Sequence, residues 1–272
     1  MQPCGRRHET SKCWSVPLIE PPTFLLPSIA RVPGTMAITF SFPRATLLSY
    51  LVVSVLSQFV PAPTDLTTVT GYGQSVRYKE VPEGICELTP GVKSYSGYVD
   101  IAENEHIFFW FFEARNQDPT TAPLTVWING GPGSSSMIGL FQELGPCMID
   151  EKMNVVYNPY AWNNASNMIF IDQPATTGFS YSVPVSGYYS ELGGTEYLIE
   201  LGNTTCPPYA HGGCGTYSKE DLADVTDSTI SSRHNFWLVL QGFIGAFPQY
   251  SQNGFHFTSE SYGGHYGPVY NE

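Results

Sequence analysis

Phe255-His256-Phe257-Thr258-Ser259-Glu260-Ser261-Tyr262-Gly263-Gly264-His265-Tyr266-Gly267-Pro268 passes from an aromatic, β-prone run into a turn crowded with small residues. Gly254–Thr258 reads as a buried strand. A serine at the tip of a strand–turn–helix elbow has its hydroxyl pushed out above the sheet, and such a turn needs small neighbours. The general pattern is G-x-S-x-G; here Ser259 stands first, Ser261 at the centre and Gly263 last. Ser261 is therefore the candidate nucleophile. A serine-rich loop without chemistry is the other reading that the pattern alone allows.

About 130 residues upstream, the apolar run Leu124–Asn129 (LTVWIN) leads straight into Gly130-Gly131-Pro132-Gly133 and Ser134-Ser135-Ser136. Glycines let backbone N–H groups approach a ligand closely. In acyl transfer, one such N–H joins that of the residue after the nucleophile to hold a developing oxyanion. Taken alone, the run reads equally as a tight turn. Asn167–Asp172 (NMIFID) is a second continuous apolar run, ending at Gln173-Pro174. Runs of this kind, apolar rather than alternating, suit buried parallel strands. Ser94–Val99 and His106–Glu113 read as a hairpin around Glu103-Asn104-Glu105. Phe236–Phe247 has helical length and apolar content, and Pro248 closes it. Val183–Arg233, rich in Ser, Thr, Gly and Tyr, reads as an insertion. Strands alternating with a helix point to an α/β sheet.

The chain has 272 residues, of which 42% are hydrophobic and 13% charged, with a net charge of −12. That acidity argues against nucleic acid, whose phosphates demand a basic face. Ala45–Val60 is apolar, follows Arg44 and ends in small residues and prolines. At about 16 residues it is shorter than the ~20 of a membrane span and reads as a secretory signal peptide. The expected layout is a gene-model extension over 1–35, a signal peptide over 36–62 with translation starting at Met36, and a body from 63. A signal-anchor is the alternative; after signal cleavage no membrane partner is expected. Four cysteines follow (Cys86, Cys147, Cys206 and Cys214), an even count suited to an oxidising compartment. They allow three pairings, with Cys206–Cys214 the local one. No metal-ligand spacing is present, so neither metal nor cofactor is expected. Asn164-Ala165-Ser166 and Asn203-Thr204-Thr205 are candidate glycan acceptors.

The blocks SYSGYVDI with HIFFWFFEARN, LTVWINGGPGSSSMIGLFQELGP, NMIFIDQPATTGFSYS and FPQYSQNGFHFTSESYGGHYGP, in this order, resemble the serine carboxypeptidase family. The resemblance covers about Gly84–Pro268 apart from the insertion, and secreted fungal members are the most similar. It implies an α/β-hydrolase fold: a mostly parallel central sheet, flanking helices and an insertion over about 183–233. It further implies that Ser261 is the acylating nucleophile and that Gly131 and Tyr262 supply the oxyanion-hole amides. Asn129, Gly130, Glu143 and Glu260 would hold the terminal carboxylate of a peptide substrate. A carboxylate meeting two buried glutamates is repelled unless a proton is shared among them, so an acidic optimum is expected. The implied location is extracellular or vacuolar, reached through the secretory pathway.

Three departures stand out. Ser134 replaces the family's cysteine after the glycine run, and Ala175-Thr176-Thr177-Gly178 replaces a Val- and Gly-containing stretch. The third concerns the base, a histidine oriented by a carboxylate, which in this fold follows the nucleophile in the order Ser, Asp, His. Glu272 is the last residue, and neither His256 nor His265 is placed to act as that base. The expectation is an N-terminal part of the catalytic domain, incomplete at its C-terminus, inactive and poorly stable alone. A non-catalytic carboxylate-binding protein and an acyltransferase on the same scaffold are the alternatives.

Overall fold

Continuous apolar runs become the middle of a sheet, and alternating ones its flank. The computed structural model describes residues 63–192, 195–203, 205–210, 213–224 and 226–272. The signal peptide and extension expected over 1–62 lie outside them. The chain opens with an antiparallel meander, β1 (Thr67–Gly71), β2 (Gln74–Glu80), β3 (Ser94–Ala102) and β4 (Glu105–Phe112). Then come β5 (Leu124–Ile128), α1 (Met137–Gly139) with a π-helical turn Leu140–Leu144, and a small hairpin of β6 (Cys147–Ile149) and β7 (Val155–Tyr157). They are followed by β8 (Asn167–Ile171), β9 (Val183–Leu192), β10 (Thr195–Glu200), β11 (Cys214–Lys219), α2 (Thr229–Ala246), β12 (Phe255–Ser259) and α3 (Gly263–Tyr270).

The main sheet runs β1-β2-β3-β4-β8-β5-β12 and is mixed. Its parallel part is the site half, where β5 pairs with both β8 and β12. The other pairings are antiparallel, because short turns join β1 to β2 and β3 to β4, and β4 meets β8 head to tail. Every residue of β5 and β8 is buried, as their almost wholly apolar sequences require, and the two polar side chains, Thr125 and Asn167, are hydrogen-bonded. In β4 burial alternates along the strand. Phe109 and Phe111 point toward α2, where their rings lie 5.4 and 5.2 Å from that of Phe243. Each buried phenylalanine contributes on the order of 2–3 kcal/mol. Unlike β5 and β8, β12 is the last strand of the sheet among the described residues, so Phe255 and His256 are exposed rather than buried as expected.

Helix α2 begins seven residues before the apolar run that announced it. Ser228 Oγ accepts the Ser231 amide at 3.2 Å while Ser231 Oγ accepts the Ser228 amide at 3.0 Å, a reciprocal cap that fixes the start. Residues Val183–Lys219 form a separate three-stranded antiparallel sheet, β10-β9-β11. Disulfides join Cys206 to Cys214 and Cys86 to Cys147. Beside the latter, the buried Arg115 guanidinium meets Glu87 at 3.0 Å and donates to the carbonyls of Asn158 and Pro146. The pair is thus fully hydrogen-bonded, the condition for a buried ion pair to be tolerated. No helix of the described residues is long and apolar enough to cross a membrane.

Candidate active site

Parallel pairing brings the two motifs together. Ile128 of β5 lies opposite Ser259 of β12, so the next residues, Asn129 and Glu260, leave the sheet edge side by side. Ser259 Oγ donates to the Ile128 carbonyl at 2.5 Å and locks that register. Asn129 is buried, and its Oδ1 accepts from Trp127 Nε1 at 2.7 Å and from the Gly139 amide at 3.1 Å. Both partners can only donate, so the orientation of the side-chain amide is fixed. Its Nδ2 therefore faces Glu260 and donates to Oε1 at 2.9 Å.

Ser261 follows with φ +51°, a left-handed conformation in a non-glycine residue. Strain of this kind costs on the order of 1–3 kcal/mol and persists where the surroundings over-determine it. Here the turn is closed by the Gly263 amide donating to the Glu260 carbonyl at 2.6 Å, and α3 starts at once. Ser261 is exposed, and its hydroxyl makes no hydrogen bond among the described residues. Gly130 explains how the glycine run fits against it. A Cβ there would lie 2.6 Å from both the Glu260 carbonyl oxygen and the Tyr262 nitrogen, so only glycine lets the two loops touch. Gly131 follows at φ +111°, again a glycine conformation. Among the described residues the Gly131 and Tyr262 amides donate to no protein acceptor.

Glu143 sits on the π-helical turn, exposed. Its carboxyl is held above its ordinary value, first by partial burial and then by the charge of Glu260, so the two acids sense each other. Sequence reasoning expected both glutamates to be buried. Both are exposed instead, because no described residue covers this edge of the sheet. Asn129, Gly130 and Glu260 are brought together directly, whereas the Glu143 side chain makes no hydrogen bond to them among the described residues and only feels the Glu260 charge.

One organising residue was not singled out from sequence. Asp172, fully buried at the end of β8, accepts the Ser135 hydroxyl at 2.8 Å, the Ser136 amide at 2.7 Å and the Phe179 amide at 2.9 Å. Burial pushes its carboxyl up, and these hydrogen bonds oppose the push. The residue ties the far end of the glycine-run loop to the Thr177–Phe179 loop. Its signal was available: an acid directly after the apolar run Met168–Ile171. Beyond the elbow, Pro132, Gly133, Gln173, Pro174, Tyr262 and the start of α2 border a cavity of about 270 Å³. His265 is exposed on α3 with its ring 4.6 Å from that of Tyr262, and His256 lies on β12. Asn203 is exposed in a loop where its Oδ1 accepts the Thr205 amide; Asn164 is half-buried and donates to the Pro159 carbonyl.

Comparison with known proteins matches this arrangement to a family. A model described as serine carboxypeptidase matches residues 82–272, which include the glycine run and the elbow. Carboxypeptidase S1 homolog A of Arthroderma otae is 37% identical over 230 residues, covering 79% of this chain and 35% of the relative. Carboxypeptidase S1 of Penicillium janthinellum is 43% identical over 188 residues, 69% of this chain and 35% of its own. Carboxypeptidase Y homolog A of Emericella nidulans is 39% identical over 196 residues, 72% and 28% respectively. Among solved structures, Kex1(delta)p, a prohormone-processing carboxypeptidase from Saccharomyces cerevisiae, aligns at TM-score 0.46 and 21% identity, over 78% of this chain and 38% of that one. The chain thus spans about a third of the length of the curated relatives it matches. With a family model matched from residue 82 to residue 272, through both loops of the site, the chain belongs to the serine carboxypeptidase family and carries its α/β-hydrolase-type fold.

Proposed function

We propose that the protein is a serine-type carboxypeptidase acting on the C-termini of peptides. In this reading Ser261 Oγ attacks the last peptide carbonyl, the Gly131 and Tyr262 amides hold the oxyanion, and the C-terminal residue leaves as an amine. Asn129, the Gly130 amide, Glu143 and Glu260 hold the substrate's free carboxylate. One observation carries the reading: the elbow of Ser261 is pressed directly against Gly130, and among the described residues the Gly131 and Tyr262 amides beside it donate to no protein acceptor. Preorganised donors of this kind supply several kcal/mol of transition-state stabilisation. The raised Glu143 carboxyl supports proton sharing with the substrate carboxylate, and hence recognition that weakens as pH rises. Two disulfides support a route through the secretory pathway, to the extracellular space or the vacuole. Asn164 and Asn203 remain the proposed glycan acceptors.

A second reading, a non-catalytic carboxylate-binding protein, is favoured by one fact: no imidazole bonds the Ser261 hydroxyl among the described residues. A single experiment separates the two. The full chain is incubated at acid pH with an N-blocked dipeptide, and release of the C-terminal amino acid is followed in the native protein and in Ser261→Ala. Release that Ser261→Ala abolishes supports the peptidase. Binding of the free acid without release identifies the binding protein, and neither binding nor release overturns both.

A further inference from the structure

A second recess opens beside the site, of about 730 Å³, between the three-stranded sheet and the Thr176–Ser180 loop. The strand register shows how its wall is built. Tyr189 pairs with Leu198, and Tyr217 pairs with Val185, four residues before Tyr189. With side chains alternating along each strand, Tyr189, Leu198 and Tyr217 share one face, together with Glu196 and Lys219. The Tyr189 and Tyr217 rings meet edge to face at 5.1 Å, and Tyr189 is half exposed. This is a flat aromatic and aliphatic floor with a charged rim.

The opposite wall belongs to the catalytic neighbourhood. A Cβ on Gly133 would lie 3.7 Å from Thr177 Oγ1, so the glycine run touches the loop whose Thr176, Gly178 and Ser180 line the recess. The same Thr177–Phe179 loop is held by Asp172. The rim is acidic. Lys219 is paired with Glu200 at 2.7 Å, while Glu196 and Glu220 have no cationic partner among the described residues. Between Val183 and Ser228 the sequence holds seven acids and one base, Lys219.

We propose that this recess binds the body of a peptide substrate upstream of its cleaved end, and that it favours an extended peptide carrying a basic side chain there. The aromatic pair gives the peptide chain a stacking surface, and Glu196 and Glu220, without a cationic partner among the described residues, attract the cation. The proposal rests on the carboxypeptidase reading for the direction in which the peptide lies. Its own content is a binding surface separate from the Asn129–Glu260 cluster.

Fluorescence anisotropy on the full chain tests it without requiring turnover. The probes are labelled peptides with free C-termini: a tetrapeptide, an octapeptide extended upstream with one lysine in the added half, and the same octapeptide with glutamate in place of lysine. An amidated lysine octapeptide completes the set. The expected result is binding of the lysine octapeptide roughly tenfold tighter than the tetrapeptide, with the glutamate form losing that gain. E196K and E220K are surface changes that should erase the gain and leave the tetrapeptide unaffected; Y189A should reduce it for both octapeptides. Equal affinity for the tetrapeptide and the lysine octapeptide overturns the proposal, as does a gain indifferent to peptide charge and to E196K and E220K. If amidation changes nothing while the lysine-dependent gain persists, the recess stands and the carboxypeptidase reading falls.

Discussion

Asn129 Nδ2 donates to Glu260 Oε1 at 2.9 Å, although 131 residues of chain separate them. Parallel pairing of β5 with β12 sets them abreast, and the donors of Trp127 and Gly139 leave Asn129 no other orientation. In the proposed reading, the remaining Asn129 amide hydrogen is free to donate to a substrate carboxylate.

Asn129→Asp keeps an acceptor for Trp127 and Gly139 but turns an oxygen toward Glu260. Two facing carboxylates repel unless one is protonated. The expected outcome is roughly 10–100-fold weaker binding of peptides with a free C-terminus, on the order of 1.4–2.8 kcal/mol. The loss should be greater at pH 7 than at pH 4.5, as measured by titration calorimetry.

Gly130→Ala places a methyl 2.6 Å from two backbone atoms of the elbow. Backbone cannot swing aside as a side chain can, so overpacking should cost about 1–3 kcal/mol in urea unfolding. Binding of peptides with a free C-terminus should fall further than stability, because the displaced atoms are the Tyr262 amide and its neighbours.

Glu105, buried at the first position of β4, has its carboxyl pushed up to about 7, first by burial and then by the charge of Asp224. Hydrogen bonds from Asn235 at 2.9 and 3.1 Å oppose the push. A value above the ordinary 4.5 means that the folded protein holds this proton more tightly than the unfolded chain. The contribution is complete below about 4.5 and fades as pH climbs through 7. Thermal unfolding between pH 4.5 and 8 should show stability declining across that window, with Glu105→Gln flattening the decline. Asp100 works in a separate window. Burial tends to raise it, but hydrogen bonds from Arg77 and His106 outweigh burial and bring it to about 2. Its contribution is present above about 3.8 and lost as pH falls toward 2.

The two disulfides should differ in weight. Cys86–Cys147 spans 61 residues of sequence and Cys206–Cys214 only 8. Loop-closure entropy assigns them roughly 4 and 2.5 kcal/mol. Cys86→Ser with Cys147→Ser should therefore lower the urea midpoint more than Cys206→Ser with Cys214→Ser.

What the sequence disclosed follows from where the information sits. LTVWI and NMIFI are buried on both faces, so all positions but Thr125 and Asn167 are apolar and the strands announce themselves. The apolar run starts seven residues into α2, because the first two turns, Thr229–Asn235, are polar except for the exposed Ile230 and the start is marked only by Ser228 and Ser231 bonding each other. The strand β2 buries a single residue, Val76, and β9–β11 carry Ser, Thr, Gly and Tyr, so neither shows a strong apolar period. Asn129 was named only through the family resemblance, whereas the elbow of Ser261 and the glycine run were legible because turn chemistry and close backbone approach are local. Asp172 was not, since its donors come from two other loops and only the fold brings them in. The exposure of Glu143 and Glu260 was likewise beyond a reading of the residues alone.

The most direct measurement compares, at pH 4.5 and pH 7, the affinity of one N-blocked dipeptide as its free acid and as its C-terminal amide. Recognition by Asn129, Gly130, Glu143 and Glu260 predicts the acid at least tenfold tighter at pH 4.5, with the advantage shrinking at pH 7 and absent in Asn129→Asp. Equal affinity for acid and amide at both pH values would contradict it.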